Sequence, residues 1–216
     1  MTDTPHPAAP APTDRGQLLS RGLRLEYLTV GWNLLEGAIA VAAALAAGSV
    51  ALLGFGIDSF VECASGAVLI WRLLAERRAT DPEAIEALEH RAGRLVGASL
   101  ALLASYVAID ATRSLWQQDH PAASPVGVTI TAVSIAVMWW LARAKRRTAA
   151  ALGSSSLRAD AAQTTACWWL SIVVLGGIGL NALAGWWWAD PLAALAISGL
   201  LVREAVEAWR GEPCDD

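Results

Sequence analysis

The stretch GSVALLGFGIDSFVE (residues 48–62) has a counterpart in GSSSLRADAAQTTAC (residues 153–167). Both open on Gly-Ser and follow with leucine three positions later. Both then carry two side chains able to bind a metal, four residues apart: Asp58 and Glu62 in the first, Gln163 and Cys167 in the second. Residues at that spacing share one face of a helix. Both stretches lie in long apolar runs, where an ionisable side chain is costly and marks a functional candidate. The pattern predicts one four-ligand cation site inside a membrane.

The rest of the chain agrees. It has 216 residues, 55% hydrophobic and 17% charged, and the charge collects between apolar runs. A helical span needs about 20 mainly apolar residues. Six runs qualify or come close, over residues 27–47, 50–74, 95–116, 126–141, 161–183 and 186–206, the fourth being the shortest. A soluble all-α protein would need polar faces that most of these runs lack. The expected fold is an all-α membrane protein of six transmembrane helices over residues 23–209. A disordered cytoplasmic tail over 1–22 precedes it and a short cytoplasmic tail over 210–216 follows. The Pro- and Ala-rich start has no apolar core of a secretory signal.

Basic residues set the orientation. Of the 16 lysines and arginines, only Arg113 falls toward the outer side when both termini are inside. This positive-inside bias is strong and points to a cell (plasma or inner) membrane. Trp71, Trp139, Trp140 and Trp209 lie near inner ends, and Trp116 and Trp186 near outer ends, as aromatic belts do. Trp168 and Trp169 lie mid-span and read as packing or lipid contacts. Cys63, Cys167 and Cys214 imply no disulfide framework. Asp81 and Pro82 read as the cap and first residue of a short amphipathic helix over 82–91. The basic run Arg143–Arg147 reads as an inner loop anchored at anionic lipid rather than a nucleic-acid site.

The two matched stretches fall on the second and fifth spans, which cross in opposite directions. That fits a 3+3 inverted-topology repeat, which places a site near the midplane. Other polar positions step at helical spacing: Thr29, Asn33 and Glu36 in the first span, and Asp160, Gln163, Cys167 and Ser171 in the fifth. Asn33, Glu36 and Asp160 are therefore secondary metal candidates. Asp160 lies about two turns inward of Cys167, as a ligand on the way in or a charge at the interface. Glu36 is deeper, beside the metal or a proton carrier. Asp110 and Arg113 read as a structural ion pair, and Asp190-Pro191 as a helix start.

These motifs resemble a known family. Asn33-x-x-Glu36, the run Gly48-Ser49-x-Ala51-Leu52-Leu53 and Asp58-x-x-x-Glu62 are similar to the first two helices of cation diffusion facilitator transporters. Leu157-Arg158-Ala159-Asp160 with Gln163 and Cys167 is similar to their fifth helix, and Asp190-Pro191 to the start of their sixth. The resemblance covers residues 20–208. It implies metal-cation export, usually of zinc, in exchange for protons, by a homodimer with six helices and inside termini. The family's site is usually Asp-x-x-x-Asp facing His-x-x-x-Asp or Asp-x-x-x-Asp. Here Asp58 matches, Glu62 stands for the second Asp, Gln163 for the His and Cys167 for the last Asp. The chain is expected to lack the C-terminal cytoplasmic domain of many members.

The donor set carries chemistry of its own. Two carboxylates and a thiolate suit a borderline divalent cation such as zinc, and sulfur turns preference away from magnesium and calcium. The Gln163 carbonyl is a weak ligand or orients a neighbour. His6, His90 and His120 lie outside the spans, so imidazole does not complete the site. Two carboxylates close together in low dielectric resist being charged at once, so binding a cation should expel protons. No nucleophile–base pair, phosphate loop or cofactor motif suggests an enzyme or a prosthetic group. Two rivals remain beside transport: a metal-binding or metal-sensing membrane protein that moves nothing, and a bundle whose polar residues only hold helices together.

Overall fold

The computed structural model describes residues 12–47, 50–78, 81–118 and 125–210. Six helices run in order: α1 Pro12–Ala47, α2 Val50–Glu76, α3 Pro82–Gln117, α4 Pro125–Leu152, α5 Ser155–Ala184 and α6 Ala189–Arg210. The described residues contain no strand. Residues 1–11, 48 and 49, 79 and 80, 119–124, and 211–216 with Cys214 lie outside the described part.

Local chemistry explains the breaks between helices. Asp81 caps α3 by accepting from the Glu83 amide at 3.2 Å, and Pro82 follows at the first helical position. Gln118 closes the same helix in a left-handed conformation, with its amide bonded to the Ser114 carbonyl. Gly153 separates α4 from α5 at φ +65°, where a glycine is least strained. Ser154 then caps α5, its hydroxyl accepting from the Leu157 amide at 3.1 Å. In the second matched stretch, Gly-Ser-x-x-Leu is thus a helix stop followed by a helix start.

Three expectations about the inner ends are corrected. The segment over 1–22, read as disordered, is helical from Pro12, where Arg15 reaches Glu76 of α2 and gives the extension a partner. The helix over 82–91 is not separate; it runs unbroken into α3, because no Pro follows Pro82 and Gly93, at the step into the apolar run, is buried against the Ala208 carbonyl of α6. The basic run Arg143–Arg147 is not a loop. It is the last part of α4, which continues to Leu152 on good helix formers.

The bundle buries a cluster of polar and charged side chains beside its apolar core and exposes large apolar ones. Buried residues include Glu26, Asn33, Glu36, Asp58, Glu62, Lys145, Asp160 and Gln163, while Leu34, Leu35, Ile109, Trp116, Trp169 and Leu183 are exposed. A water-soluble fold distributes these the other way. By length and composition, α3 and α4 are apolar enough to cross a membrane. The main pairings are α1 with α2, α3 with α6 and α4 with α5; α1 also meets α4, and α2 meets α5. At Gly97 of α3, an added Cβ would stand 3.0 Å from the Ala205 carbonyl of α6, so a larger residue would push the two helices apart by a few tenths of an ångström. The α1–α2, α4–α5 and α2–α5 contacts place the polar stripes of three helices around one interior.

Candidate metal centre

The α2–α5 contact is an antiparallel ladder of polar pairs. Nearest the outer side, the Cys167 thiol donates to Asp58 Oδ2 at 3.4 Å. One turn inward, the Thr164 hydroxyl donates to Glu62 Oε1 at 2.7 Å. A further turn inward, the Ser65 hydroxyl donates to Asp160 Oδ1 at 2.6 Å. Each step along α2 is matched by an opposite step along α5, as the spacing of Asp58, Glu62, Asp160 and Cys167 requires. Asp58, Glu62 and Cys167 therefore face one another in the interior, with Glu62 in electrostatic range of both Asp58 and Cys167.

Gln163 turns aside. Its Nε2 donates to the Ser99 hydroxyl of α3 at 3.3 Å, and that hydroxyl lies 3.4 Å from the Val61 carbonyl. Gln163 thus joins α5 to α3 behind the carboxylates, and its Oε1 has no hydrogen-bond partner.

The α1 stripe lines the other side. Thr29, Asn33 and Glu36 are all buried. Thr29 satisfies itself against the Leu25 carbonyl. Both polar atoms of the Asn33 amide, Oε1 of Glu36 and Oδ1 of Asp58 have no hydrogen-bond partner. Glu36 is in electrostatic range of Glu62 and Asp58. Buried polar groups are rarely left unpaired, so a cluster of them calls for a ligand, ion or water. Among the described residues no three His, Cys, Asp or Glu side chains form a ready-made coordination shell. A cation would draw Asp58, Glu62 and Cys167 together from neighbouring positions.

Two residues escaped the sequence reading. Lys145, assigned there to a loop, is fully buried, and its ammonium lies 2.5 Å from Asp160 Oδ2, 3.0 Å from Glu26 Oε2 and 3.3 Å from the Thr164 hydroxyl. Glu26 is fully buried as well. Signals for both existed. Glu26 extends the α1 stripe by one step, and Lys145 is the only lysine beside fifteen arginines among the 16 basic residues.

The inner end is closed by a second ionic network. Arg15 Nη2 pairs with Glu76 Oε1 at 2.5 Å, and Arg72 Nη2 with Glu76 Oε2 at 2.7 Å. Arg72 also pairs with Glu89, whose Oε1 accepts from the Ser156 amide at 2.6 Å. The starts of α1, α3 and α5 and the end of α2 are thereby tied together. Farther out, Arg113 donates to Gln117 at 3.2 Å. Trp168 packs beside the Leu25, Met138 and Leu141 cluster, while Trp169 is exposed.

The sequence over residues 28–210 matches the cation efflux transmembrane domain. Over 177 residues the chain is 31% identical to an uncharacterized transporter of Synechocystis sp., a match covering 79% of this chain and 56% of the relative. The chain thus spans about half the length of the curated relative it matches. Such a domain makes this an integral membrane protein.

Proposed function

The chain belongs to the cation efflux family, and from that premise we propose that it exports divalent metal cations, zinc first among them, in exchange for protons. The cargo site is Asp58, Glu62 and Cys167, with Gln163 beside it and Asn33 and Glu36 facing it from α1. The observation that carries this reading is the buried Cys167–Asp58 contact at 3.4 Å, one turn from Glu62, in an interior with unpaired oxygens. A thiol among carboxylates favours a borderline cation over magnesium or calcium. Cation binding needs deprotonated ligands, so loading the site releases protons, and alternating exposure turns that release into antiport. The pairing of α1 with α2 and of α4 with α5 supports a 3+3 inverted repeat, with α2 and α5 meeting at its centre. We infer cytoplasmic termini, a cell-membrane location and a homodimeric assembly.

The reading is tested by flux. Purified protein in sealed vesicles should move zinc across the bilayer with an opposing proton movement, and Asp58→Asn should abolish both. Zinc movement equal in the variant and wild type would reject it. One observation favours the rival of a metal-binding protein without transport: Glu62 is already engaged by Thr164, which is itself tied to Lys145. Zinc binding that depends on Asp58 and Cys167, with no flux, would establish that rival.

A further inference from the structure

Lys145 is out of place by every ordinary rule. It is a lysine in a chain that otherwise uses only arginine, and it is 0% exposed. An ammonium is strongly hydrated and is rarely buried unless paired. Here its three protons find three acceptors on two helices: Glu26 Oε2 from α1, and Asp160 Oδ2 and Thr164 Oγ1 from α5. Asp160 is held from its other oxygen by Ser65 of α2. The ammonium therefore sits in a cage of oxygens supplied by helices that are not its own. Glu26 Oε1 remains without a hydrogen-bond partner, although Glu26 is fully buried. A lone ammonium leaves the cage with more oxygen than it can use.

Remove the side chain from that description and what remains is a cation site. Two carboxylates, one of them with an oxygen to spare, and the Thr164 hydroxyl are hard donors, the set that divalent cations take. The cage lies on the inner side of the Asp58, Glu62 and Cys167 cluster and touches it through the Thr164 hydroxyl, which bonds Glu62. Farther inward stands the Arg15, Glu76, Arg72 and Glu89 network. A cation travelling along the α2–α5 seam between the inner side and Glu62 meets the cage.

We propose that Lys145 is a tethered cation: its ammonium fills a second divalent-cation site, formed by Glu26, Asp160 and Thr164 with Ser65 holding Asp160 in place, and cargo must displace it to pass. The inference rests on the proposed cargo site only for its direction of travel; the cage itself does not depend on that reading. Displacement is an exchange of like for like. The arriving cation takes the carboxylates, and the lysine arm swings away with its charge, so the cage never holds two bare carboxylates.

The test counts bound zinc per chain after equilibrium dialysis of detergent-purified protein. Wild type should hold about one ion, Lys145→Met about two and Lys145→Met/Asp160→Asn about one again, because the freed oxygen cage is the added site. Equal counts in wild type and Lys145→Met would overturn the inference and leave the cargo site standing. No zinc in wild type and about one ion in Lys145→Met would reject the cargo site and keep the cage. No zinc in either rejects both.

If Lys145→Met does not fold, the wild type decides. Lys145 is the only lysine, so acylation by a membrane-permeant amine reagent, read by mass spectrometry on the peptide that carries it, is told apart from acylation of the N-terminal amine. Labelling should be slow without divalent cation and accelerate at least about threefold as zinc competes for the cage. It should still do so in Asp58→Asn, which lacks the cargo site. Labelling indifferent to zinc in both proteins would overturn the proposal.

Discussion

Two polar clusters share the interior of this bundle, one or two helical turns apart, and they are finished differently. Around Asp58 the contacts are sparse. Among the described residues the Cys167 thiol is its one hydrogen-bonding neighbour, and oxygens on Asp58, Glu36 and Asn33 have no donor. Around Lys145 every ammonium proton has an acceptor, and Asp160 is held from both oxygens. An unsatisfied buried polar group costs about 1–3 kcal/mol. A fold tolerates several together where a ligand completes them. On the proposed reading, the first cluster waits for a cation and the second already holds one.

The contrast breaks most visibly at Asp58. Asp58→Asn should lower zinc affinity at least about 100-fold, since direct ligands matter more than the groups orienting them. The apo bundle should be no less stable, because the variant removes a buried charge that lacks a full set of partners. Zinc titration and denaturant unfolding on the same preparation check both halves. Unchanged affinity would move the cargo site elsewhere.

At Lys145 the order reverses. Lys145→Met in metal-free detergent should cost about 3–5 kcal/mol of stability, because removing one partner strands two buried carboxylates. Neutralising those partners with Glu26→Gln and Asp160→Asn should recover most of that loss, since a buried ion pair is often matched by neutral groups of similar volume. Denaturant unfolding of the four proteins is the measurement. A single variant as stable as wild type would mean that water reaches the cluster.

Protons sharpen the comparison. Asp58, Glu62 and Cys167 must lose protons to bind zinc, so falling pH adds competitors and weakens affinity; rising pH strengthens it until the site is bare. Each displaced proton is worth up to about tenfold in affinity per pH unit. Titrations across the acid-to-neutral range should show that slope in wild type, and a smaller one in Asp58→Asn. A flat profile in wild type would remove proton exchange from the mechanism.

Sulfur gives a smaller effect. Cys167→Asp makes the donor set all-oxygen. Cadmium preference over manganese should fall about tenfold, because thiolate bonding is what favours the softer ion. Identical rankings in competition binding would mean that Cys167 only packs against its neighbour.

How much of this was legible in the sequence follows from what periodicity encodes. The i,i+4 spacing gave Asp58 with Glu62 and the α5 stripe, because a helix face is a local property. The facing of α2 against α5 followed from antiparallel crossing of two apolar runs. The inner ends were misread for one physical reason: charge was taken as a sign of water. Arg143–Arg147 lies in α4, and Lys145 within it points to Glu26 and Asp160, 119 and 15 residues away in sequence. Arg15 likewise orders the start of α1 through Glu76. Partners that distant in sequence leave no local spacing to read.

Gln163 marks the boundary between the clusters' roles, and the smallest effect is expected there. Spacing alone puts it beside Asp58 and Cys167 as a fourth donor. In the bundle its amide nitrogen instead reaches Ser99 on α3, at 3.3 Å. A carbonyl ligand would have to turn its Oε1 toward the carboxylates while keeping or breaking that bond. If Gln163 acts through Ser99, Gln163→Ala removes one hydrogen bond and costs about 1 kcal/mol of stability. Ser99 keeps the Val61 carbonyl as an acceptor, 3.4 Å away, so α2 stays in register. Zinc affinity should then fall less than about threefold, well below the loss that follows removal of a group orienting a ligand directly. A tenfold or greater loss at unchanged stability would show that the Gln163 carbonyl turns inward and joins the metal.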